Sequence, residues 1–215
     1  AVSDYRKRPT GWRIKFKMKS NSIKMYDKFN CLRIEMTIND PKEFQVYKEV
    51  HHRDGTTSKR WVPMGKTIAN LYRYAEISLA ANKRFLNSMT NVIPAKTIEK
   101  EINSICMKKV IDTRTYSGYN VWSPETFCLF EAISDGKYLI RGFTNKDIRR
   151  GIFGKQSETA QNRGRMSRTL SKLRAHGLIR KIPHSRRYLL SDKGRRVIGA
   201  LIETKRRTYP ELAAV

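Results

Sequence analysis

Cations and side-chain amides are concentrated in one stretch near the C-terminus of the chain. The apolar spacing over residues 159 to 176 predicts a helix whose polar side chains share an outward face. Amide and guanidinium groups make paired hydrogen bonds to the edges of nucleic-acid bases, whereas an ammonium group suits phosphate. The predicted face consists of Gln161, Asn162, Arg163, Arg165, Arg168 and Lys172. These residue types predict a surface that contacts bases through amides and arginines and phosphate through Lys172.

A short basic turn follows this helix, between two apolar runs within residues 178–190 that are predicted as strands. The turn carries His184, Ser185, Arg186 and Arg187. The cationic side chains among them are suited to contact phosphate. The alternative for this region is a scaffold for protein interactions, with its arginines only solvated.

A second basic surface is predicted near the start of the chain, where residues alternate with a period of two after Gly11. Such alternation indicates a strand with one buried and one exposed side. The apolar side holds Trp12, Ile14, Phe16 and Met18, and the basic side holds Arg13, Lys15, Lys17 and Lys19. The basic side is suited to follow a nucleic-acid backbone.

The composition supports a polyanionic partner. The 215 residues include 45 Lys and Arg against 19 Asp and Glu, a formal net charge of +26, and residues 141–215 alone hold 20 against 5. A hydrophobic fraction of 39% is enough for a core. The alternative explanation of the charge is a surface that only favours solubility.

Several classes of protein are disfavoured by what the sequence lacks. It has no apolar run near the ~20 residues of a membrane helix. Its three cysteines show no C-x-x-C spacing, which argues against a disulfide framework or a zinc site and suggests a reducing cytoplasm. No phosphate-binding glycine loop or Ser, His and Asp set appears, so neither small-molecule catalysis nor a cofactor is expected. The missing initiator Met suggests a processed or truncated chain.

The patterning predicts an α+β protein with two domains. Strands over 12–18, 22–28 and 32–38 form an antiparallel meander, and Phe44 to Val50 is a further candidate strand. Helices follow over 66–89 and 97–110. The first of these has a predicted core side of Ile68, Leu71, Tyr72, Ala75, Leu79, Ala80 and Leu86. The predicted domains are residues 1–112 and 123–215, with a linker at 113–122.

The second predicted domain has a specific order of elements. A helix from Ser123, a strand over 138–143 and helices over 145–150 and 159–176 precede the two strands and a last helix over 192–206. The sequences His-Gly-Leu-Ile-Arg-Lys from His176 and Arg-Tyr-Leu-Leu-Ser-Asp-Lys-Gly-Arg from Arg187 resemble the winged helix-turn-helix bacterial transcription regulators. The resemblance implies duplex DNA as the partner, with the third helix in the major groove. It also implies that the basic turn, with His184, Ser185, Arg186 and Arg187, lies against phosphate or in the minor groove.

Two further resemblances concern the first half. Ser-Ile-Lys-Met-Tyr-Asp-Lys from Ser22 and Leu-Arg-Ile-Glu from Leu32 resemble strands of rolling-circle replication initiators. This implies Mg²⁺ between Asp27 and Glu35, and Tyr72 or Tyr74 as a nucleophile. The alternative is that Tyr72 is core, Tyr74 is surface, and the two acids pair with neighbouring cations. Such enzymes space two histidines by one residue, whereas His51 and His52 are adjacent.

The whole chain resembles the C-terminal half of an uncharacterised bacterial family of multicopy, mobile-element-like proteins, through the sequences from Ser22 and His176 quoted above. That resemblance implies no known activity, and it implies a further domain before this chain. The leading hypothesis is a nucleic-acid-binding protein that needs no cofactor. The alternative is the nicking component of a mobile element, with a metal. DNA or RNA as the partner, the target sequence and a homodimer stay open.

Overall fold

The computed structural model describes residues 3–9, 11–28, 31–89 and 95–212. The protein is α+β and folds as two compact units, Ala1–Met89 with Leu139–Arg141, and Thr90–Tyr138 with Gly142–Val215. This division falls before the linker that the sequence suggested at 113–122. The second predicted helix therefore belongs to the second unit.

The first unit contains a four-stranded antiparallel sheet in the order β1-β2-β3-β4. Its strands are β1 (Ser3–Arg8), β2 (Gly11–Met18), β3 (Asn21–Lys28) and β4 (Cys31–Thr37). The meander is confirmed, with Met18, Ile23 and Met25 buried on its inner face. The sequence did not predict β1, because its polar residues show no apolar alternation and its pairing with β2 makes it a strand.

A buried amide joins the β2–β3 turn to the chain that leaves β4. The Asn21 side chain is fully buried. Its Oδ1 accepts from the backbone amides of Asn39 and Asp40, both at 3.0 Å, and its Nδ2 donates to the Asp40 carbonyl at 3.1 Å. Because buried polar groups must be paired, one side chain fixes this junction.

A two-stranded hairpin follows, formed by β5 (Gln45–His51) and β6 (Thr57–Pro63). The candidate strand over Phe44 to Val50 is present as β5, and Phe44 and Val46 are buried at the base of the hairpin. The strand β6 was missed, because its apolar residues come only at its end and the rest are Thr, Ser, Lys and Arg.

The helix α1 (Leu71–Met89) is present, but the predicted core side is wrong. All seven residues of that side are exposed, including Ile68 at 90% and Leu71 at 67%. Ala81 and Phe85 are buried instead, and the Phe85 ring meets Phe16 of β2 in an edge-to-face contact with centroids 5.7 Å apart. The helix carries apolar residues on two sides, and periodicity alone does not tell which side meets the sheet.

The second unit begins with α2 (Ala95–Cys106), a hairpin of β7 (Lys109–Ile111) and β8 (Arg114–Tyr116), and α3 (Pro124–Ser134). The strand β8 lies within residues 113–122, the segment that the sequence suggested as a linker between two domains. Its three residues pair antiparallel with β7. A short hairpin of this kind lacks the alternation that a sequence argument needs.

The predicted strand over 138–143 is also wrong, because Tyr138–Arg141 forms a single helical turn, α4. Asp135 starts this turn, accepting from the backbone amide of Lys137 through Oδ1 and from that of Tyr138 through its carbonyl. Gly142 ends it with a φ of 76°. Only Phe143 pairs as a strand would, in an antiparallel bridge with Tyr188. Burial at alternate positions over so few residues fits either conformation.

The remaining elements follow the predicted order. They are α5 (Asn145–Phe153), α6 (Ala160–Ala175), β9 (Ile179–Lys181), β10 (Tyr188–Leu190) and α7 (Asp192–Leu212). Thr144 and Asp147 form a capping box at the start of α5. The first turn of α7 lies close to the residue that precedes β9. A Cβ built on Gly194 would be 2.0 Å from the Leu178 carbonyl oxygen.

Among the described helices, none combines the length and the apolar character that crossing a membrane requires.

The Asn21 junction makes a testable contribution to stability. Replacing Asn21 with Ala leaves backbone groups unpaired, at about 1–3 kcal/mol for each buried group. We therefore expect Asn21→Ala to lower the free energy of unfolding of the first unit by about 3 kcal/mol. Urea unfolding followed by tryptophan fluorescence, in a Trp122→Phe background, measures this. The control is Asn39→Ala, because the Asn39 side chain is exposed. Equal stability of the two variants would contradict the assignment.

Candidate nucleic-acid interface

The helix α6 starts at a capped turn and presents one side to solvent. Thr159 accepts the backbone amide of Asn162 through Oγ1 at 3.2 Å, which satisfies an otherwise unpaired group of the first turn. Met166, Leu170 and Leu173 form the apolar spacing of this helix and are buried. These three side chains fix the rotation of α6 about its own axis.

Three of the predicted contact residues share one exposed side of α6. Gln161, Arg165 and Arg168 are spaced at i, i+4 and i+7, and all three are exposed. We call these residues the α6 row. Arg163 is also exposed, but its helical position places it on a different side, close to that of Arg174. The α6 row therefore combines one amide and two guanidinium groups on a single surface.

Asn162 and Lys172 are turned toward the protein, which corrects the predicted outward face. Asn162 is half-buried, and its Nδ2 donates to the Gln156 carbonyl at 2.9 Å. The Lys172 ammonium donates to the Gly118 carbonyl at 2.9 Å and lies 4.1 Å from the centre of the Tyr119 ring. Burial lowers the pKa of Lys172. Both side chains hold α6 in place.

Two of the four predicted contact residues in the turn between β9 and β10 are exposed to solvent, and the other two are half-buried. His184 and Arg186 are exposed, and His184 has a φ of 55°. Ser185 shapes the turn, because its hydroxyl donates to the Ile182 carbonyl and accepts the Arg187 backbone amide. Arg187 is half-buried, and burial lowers the pKa of its guanidinium against the opposing influence of Asp147. The outward charge of the turn therefore comes from Arg186, with His184 beside it.

Acidic residues are absent from the stretch that contains α6 and this turn. Between Glu158 and Asp192 the sequence holds nine Lys and Arg residues and no Asp or Glu. Glu158 lies 3.4 Å from Arg149, and Asp192 lies 2.5 Å from Arg195. The acids on either side are thus engaged in ion pairs, and the intervening stretch has a uniformly positive sequence.

Gly164 is a feature of α6 that the sequence analysis missed. It lies inside the helix, is exposed, and a Cβ built on it would meet nothing within 4 Å. Glycine inside a helix costs roughly 0.5–1 kcal/mol relative to alanine, and no packing of this unit requires it here. The sequence did contain an indication of it, because Gly164 is a glycine inside a predicted helix and lies next to residues of the α6 row.

The C-terminal end of α6 is held by a buried histidine. His176 is 1% exposed, and its Nε2 donates to the Ser117 carbonyl at 3.0 Å. Its ring contacts that of Tyr119, with centroids 5.2 Å apart. Burial lowers the pKa of His176, and Lys172, Lys109 and Lys193 lower it further, against the hydrogen bond to Ser117. The neutral imidazole is therefore favoured.

The predicted basic side of β2 forms part of the outer face of the first sheet. Arg13 and Lys15 are half-buried and Lys17 is exposed. Some of this charge is paired, since Arg13 lies 2.8 Å from Asp4 and Lys24 lies 3.2 Å from Glu35. Burial raises the pKa of Glu35, but hydrogen bonds from Tyr26 and Lys24 hold it below its usual value.

The residues suggested for metal-dependent cleavage do not converge. Asp27 lies opposite Leu32, whereas Glu35 lies opposite Lys24, so the two acids point to opposite faces of the sheet. Within residues 3–9, 11–28, 31–89 and 95–212, no group of three or more His, Cys, Asp and Glu is placed to hold a metal ion. Tyr72 is exposed rather than core, and Tyr74 is half-buried on another side of α1.

An aromatic pair on the β5–β6 hairpin also escaped the sequence analysis. Tyr47 and Trp61 are cross-strand neighbours with ring centroids 5.5 Å apart, and they are 51% and 36% exposed. The Arg73 guanidinium lies 5.4 Å from the centre of the Trp61 ring. Only the pairing of β5 with β6 brings these residues together.

Comparisons of the chain with protein-family models, with curated proteins and with solved structures find no match.

The buried His176 predicts a pH dependence of stability. Its pKa is lowered in the folded protein from an ordinary value of 6.5, so the unfolded chain binds the proton more tightly. The stabilisation is complete above pH 6.5 and is lost as the pH falls below it. We expect the urea midpoint, followed by circular dichroism, to fall over this range in the wild type and to vary less in His176→Gln. An identical pH profile for the two proteins would contradict the assignment.

Proposed function

We propose that the second unit is a winged helix-turn-helix module that binds duplex DNA, with α6 in the major groove and the β9–β10 turn as the wing. The observation that carries the proposal is the α6 row, which presents Gln161, Arg165 and Arg168 together from a helix without acidic residues. A major groove is wide enough to admit one helix, and its base edges accept and donate hydrogen bonds in pairs.

The order of the elements supports this assignment. In a winged helix, a helix and a short edge strand precede the two helices of the motif, and two strands flank the wing. Here the order is α3, the helical turn α4, the single Phe143 bridge in place of a full strand, α5, α6, β9 and β10. Asn145 of α5 donates to Ser167 of α6 at 3.0 Å, which helps to fix the two helices relative to each other.

The type and position of each side chain assign it either to the base edges or to the phosphate backbone of the DNA. A guanidinium group can donate two parallel hydrogen bonds to O6 and N7 of guanine, which suits Arg165 and Arg168, and an amide can pair with adenine, which suits Gln161. Arg163 and the wing residue Arg186 project elsewhere on the unit and are assigned to phosphate. The basic outer face of the first sheet, with Lys17 exposed, is proposed as a further backbone contact.

Gly164 fits a helix that lies close to its partner. A residue without a side chain beside the α6 row lets the helix backbone approach the floor of the groove. No packing within the unit accounts for this glycine.

The first test of the proposal separates base contacts from phosphate contacts. A preferred duplex is first selected from a random pool. We expect Arg165→Ala and Arg168→Ala each to weaken binding to that duplex by about 1–3 kcal/mol, and binding to random duplexes by less. Fluorescence anisotropy at fixed salt measures both. The control is Arg114→Ala, an exposed arginine of β8. Equal losses on both duplexes, or no preferred duplex at all, would contradict base reading by α6.

The second test compares two exposed glycines in helices, of which only Gly164 is proposed to lie near DNA. Gly164 in α6 and Gly199 in α7 are both exposed, with nothing within 4 Å of a built Cβ. We expect Gly164→Ala and Gly199→Ala each to raise the free energy of unfolding by about 0.5–1 kcal/mol. Only Gly164→Ala should weaken duplex binding, because its methyl group would enter the interface. Unchanged DNA affinity of Gly164→Ala would place this part of α6 outside the groove.

A further inference from the structure

The exposed side of α1 carries more apolar surface than the folded unit uses. Ile68 is 90% exposed, Tyr72 57%, Leu79 56%, Leu86 40% and Met89 55%. The last four of these residues recur along one side of α1, away from Ala81 and Phe85, which face the sheet. Ile68 lies in the 3₁₀ turn Ile68–Asn70 that leads into α1. Contiguous apolar surface of this kind marks an interaction site on a folded protein.

The spacing along this side is that of a helix that pairs with another helix. Together with Ala75 and Asn82, the five residues follow steps of four, three, four, three, four and three. Alternating steps of three and four are the repeat of a coiled-coil seam. We call these positions the α1 stripe, which consists of Ile68, Tyr72, Ala75, Leu79, Asn82, Leu86 and Met89.

The α1 stripe is symmetric about Leu79. If two copies of α1 run antiparallel, the spacing places Leu79 against Leu79 of the second copy and Tyr72 against Leu86. A twofold axis requires this reciprocity, in which residue i meets j and j meets i. Ala75 then lies beside Asn82 of the other copy at the edge of the seam, where the Asn82 side chain already donates to its own unit.

Charge complementarity favours the same arrangement. Glu76 and Lys83 are exposed and flank the α1 stripe on one side, one on each side of its centre. In an antiparallel pair, Glu76 of each copy lies beside Lys83 of the other, so two ion pairs form. In a parallel pair in register, Glu76 would face Leu71 of the other copy and Lys83 would face Ser78. Neither neighbour carries a charge, so no ion pair would form. Glu76 already accepts from Arg73 through Oε2 at 2.7 Å within its own helix.

The opposite side of α1 is anchored to its own unit, so pairing requires no refolding. Phe85 packs on Phe16, and Arg84 donates to the carbonyls of Leu139 and Ile140 at 2.8 and 2.9 Å. Asn82 lies at the border between the two sides, where its Nδ2 is 3.4 Å from the Ile34 carbonyl oxygen.

We propose that α1 is a self-association helix, through which two copies of this chain pair antiparallel along the α1 stripe. The pairing does not depend on nucleic acid and stands apart from the function proposed for the second unit.

The association state of the full chain in the absence of DNA tests this proposal. We expect analytical ultracentrifugation to give twice the mass of one chain for the wild type, and the mass of one chain for Leu79→Glu. Ala80→Glu is the matched control, because Ala80 is exposed on the adjacent side of the same helix, and it should stay dimeric. Circular dichroism checks that both variants fold. A monomeric wild type, or a folded Leu79→Glu that stays dimeric, would overturn the proposal.

A second measurement tests the antiparallel direction. In a background with Cys31, Cys106 and Cys128 replaced by Ser, Leu79→Cys should form a disulfide between copies under oxidation. Tyr72→Cys alone should not, whereas a mixture of Tyr72→Cys and Leu86→Cys chains should crosslink. Efficient crosslinking of Tyr72→Cys with itself would overturn the antiparallel pairing. Glu76→Lys and Lys83→Glu should each weaken the dimer, and the double exchange should restore it.

Discussion

The position of α6 depends on how residues 117–119 pass between two helix ends. A Cβ on Gly118 would lie 1.7 Å from the carbonyl oxygen of Cys106, so only glycine allows the chain to run this close to the end of α2. On the other side, His176 and Lys172 donate to the carbonyls of Ser117 and Gly118. The acceptors are main-chain carbonyls, and the donors are two inward side chains at the C-terminal end of α6. Of the outward side chains, Arg165 also contacts its own unit, with its guanidinium 5.7 Å from the centre of the Phe153 ring.

Strands and helices with a regular hydrophobic period were predictable from the sequence. The neighbouring element that each one pairs with or packs against was not. Alternation identified β2, β3 and β4, because a half-buried strand repeats every two residues. It missed β1 and β6, which are strands because a neighbour pairs with them. The period of α1 was equally clear, yet it pointed to the wrong side. A helix with two apolar sides satisfies the same periodicity twice, and the contact of Phe85 with Phe16 decides between them.

The candidate site shows the same limit at the level of single side chains. Helical spacing alone brought Gln161, Arg165 and Arg168 together, because one element carries all three. Lys172 has the same sequence signal, but its long side chain reaches a carbonyl 54 residues away, and no local pattern contains that contact. Asp27 and Glu35 lie on neighbouring strands of the predicted meander. Alternation already indicated the basic outer face for Glu35, and the strand register places Asp27 on the other face.

The close approach at Gly194, where a side chain would strike the Leu178 carbonyl, has a consequence for how such a protein can diverge. Together with Gly118, it sets the frame through main-chain contacts that do not depend on the identity of the neighbouring residues. The three side chains of the α6 row are therefore free to change while this frame persists. Under the proposed function, related chains with the same glycines and different residues at 161, 165 and 168 would keep the architecture and read other target sequences.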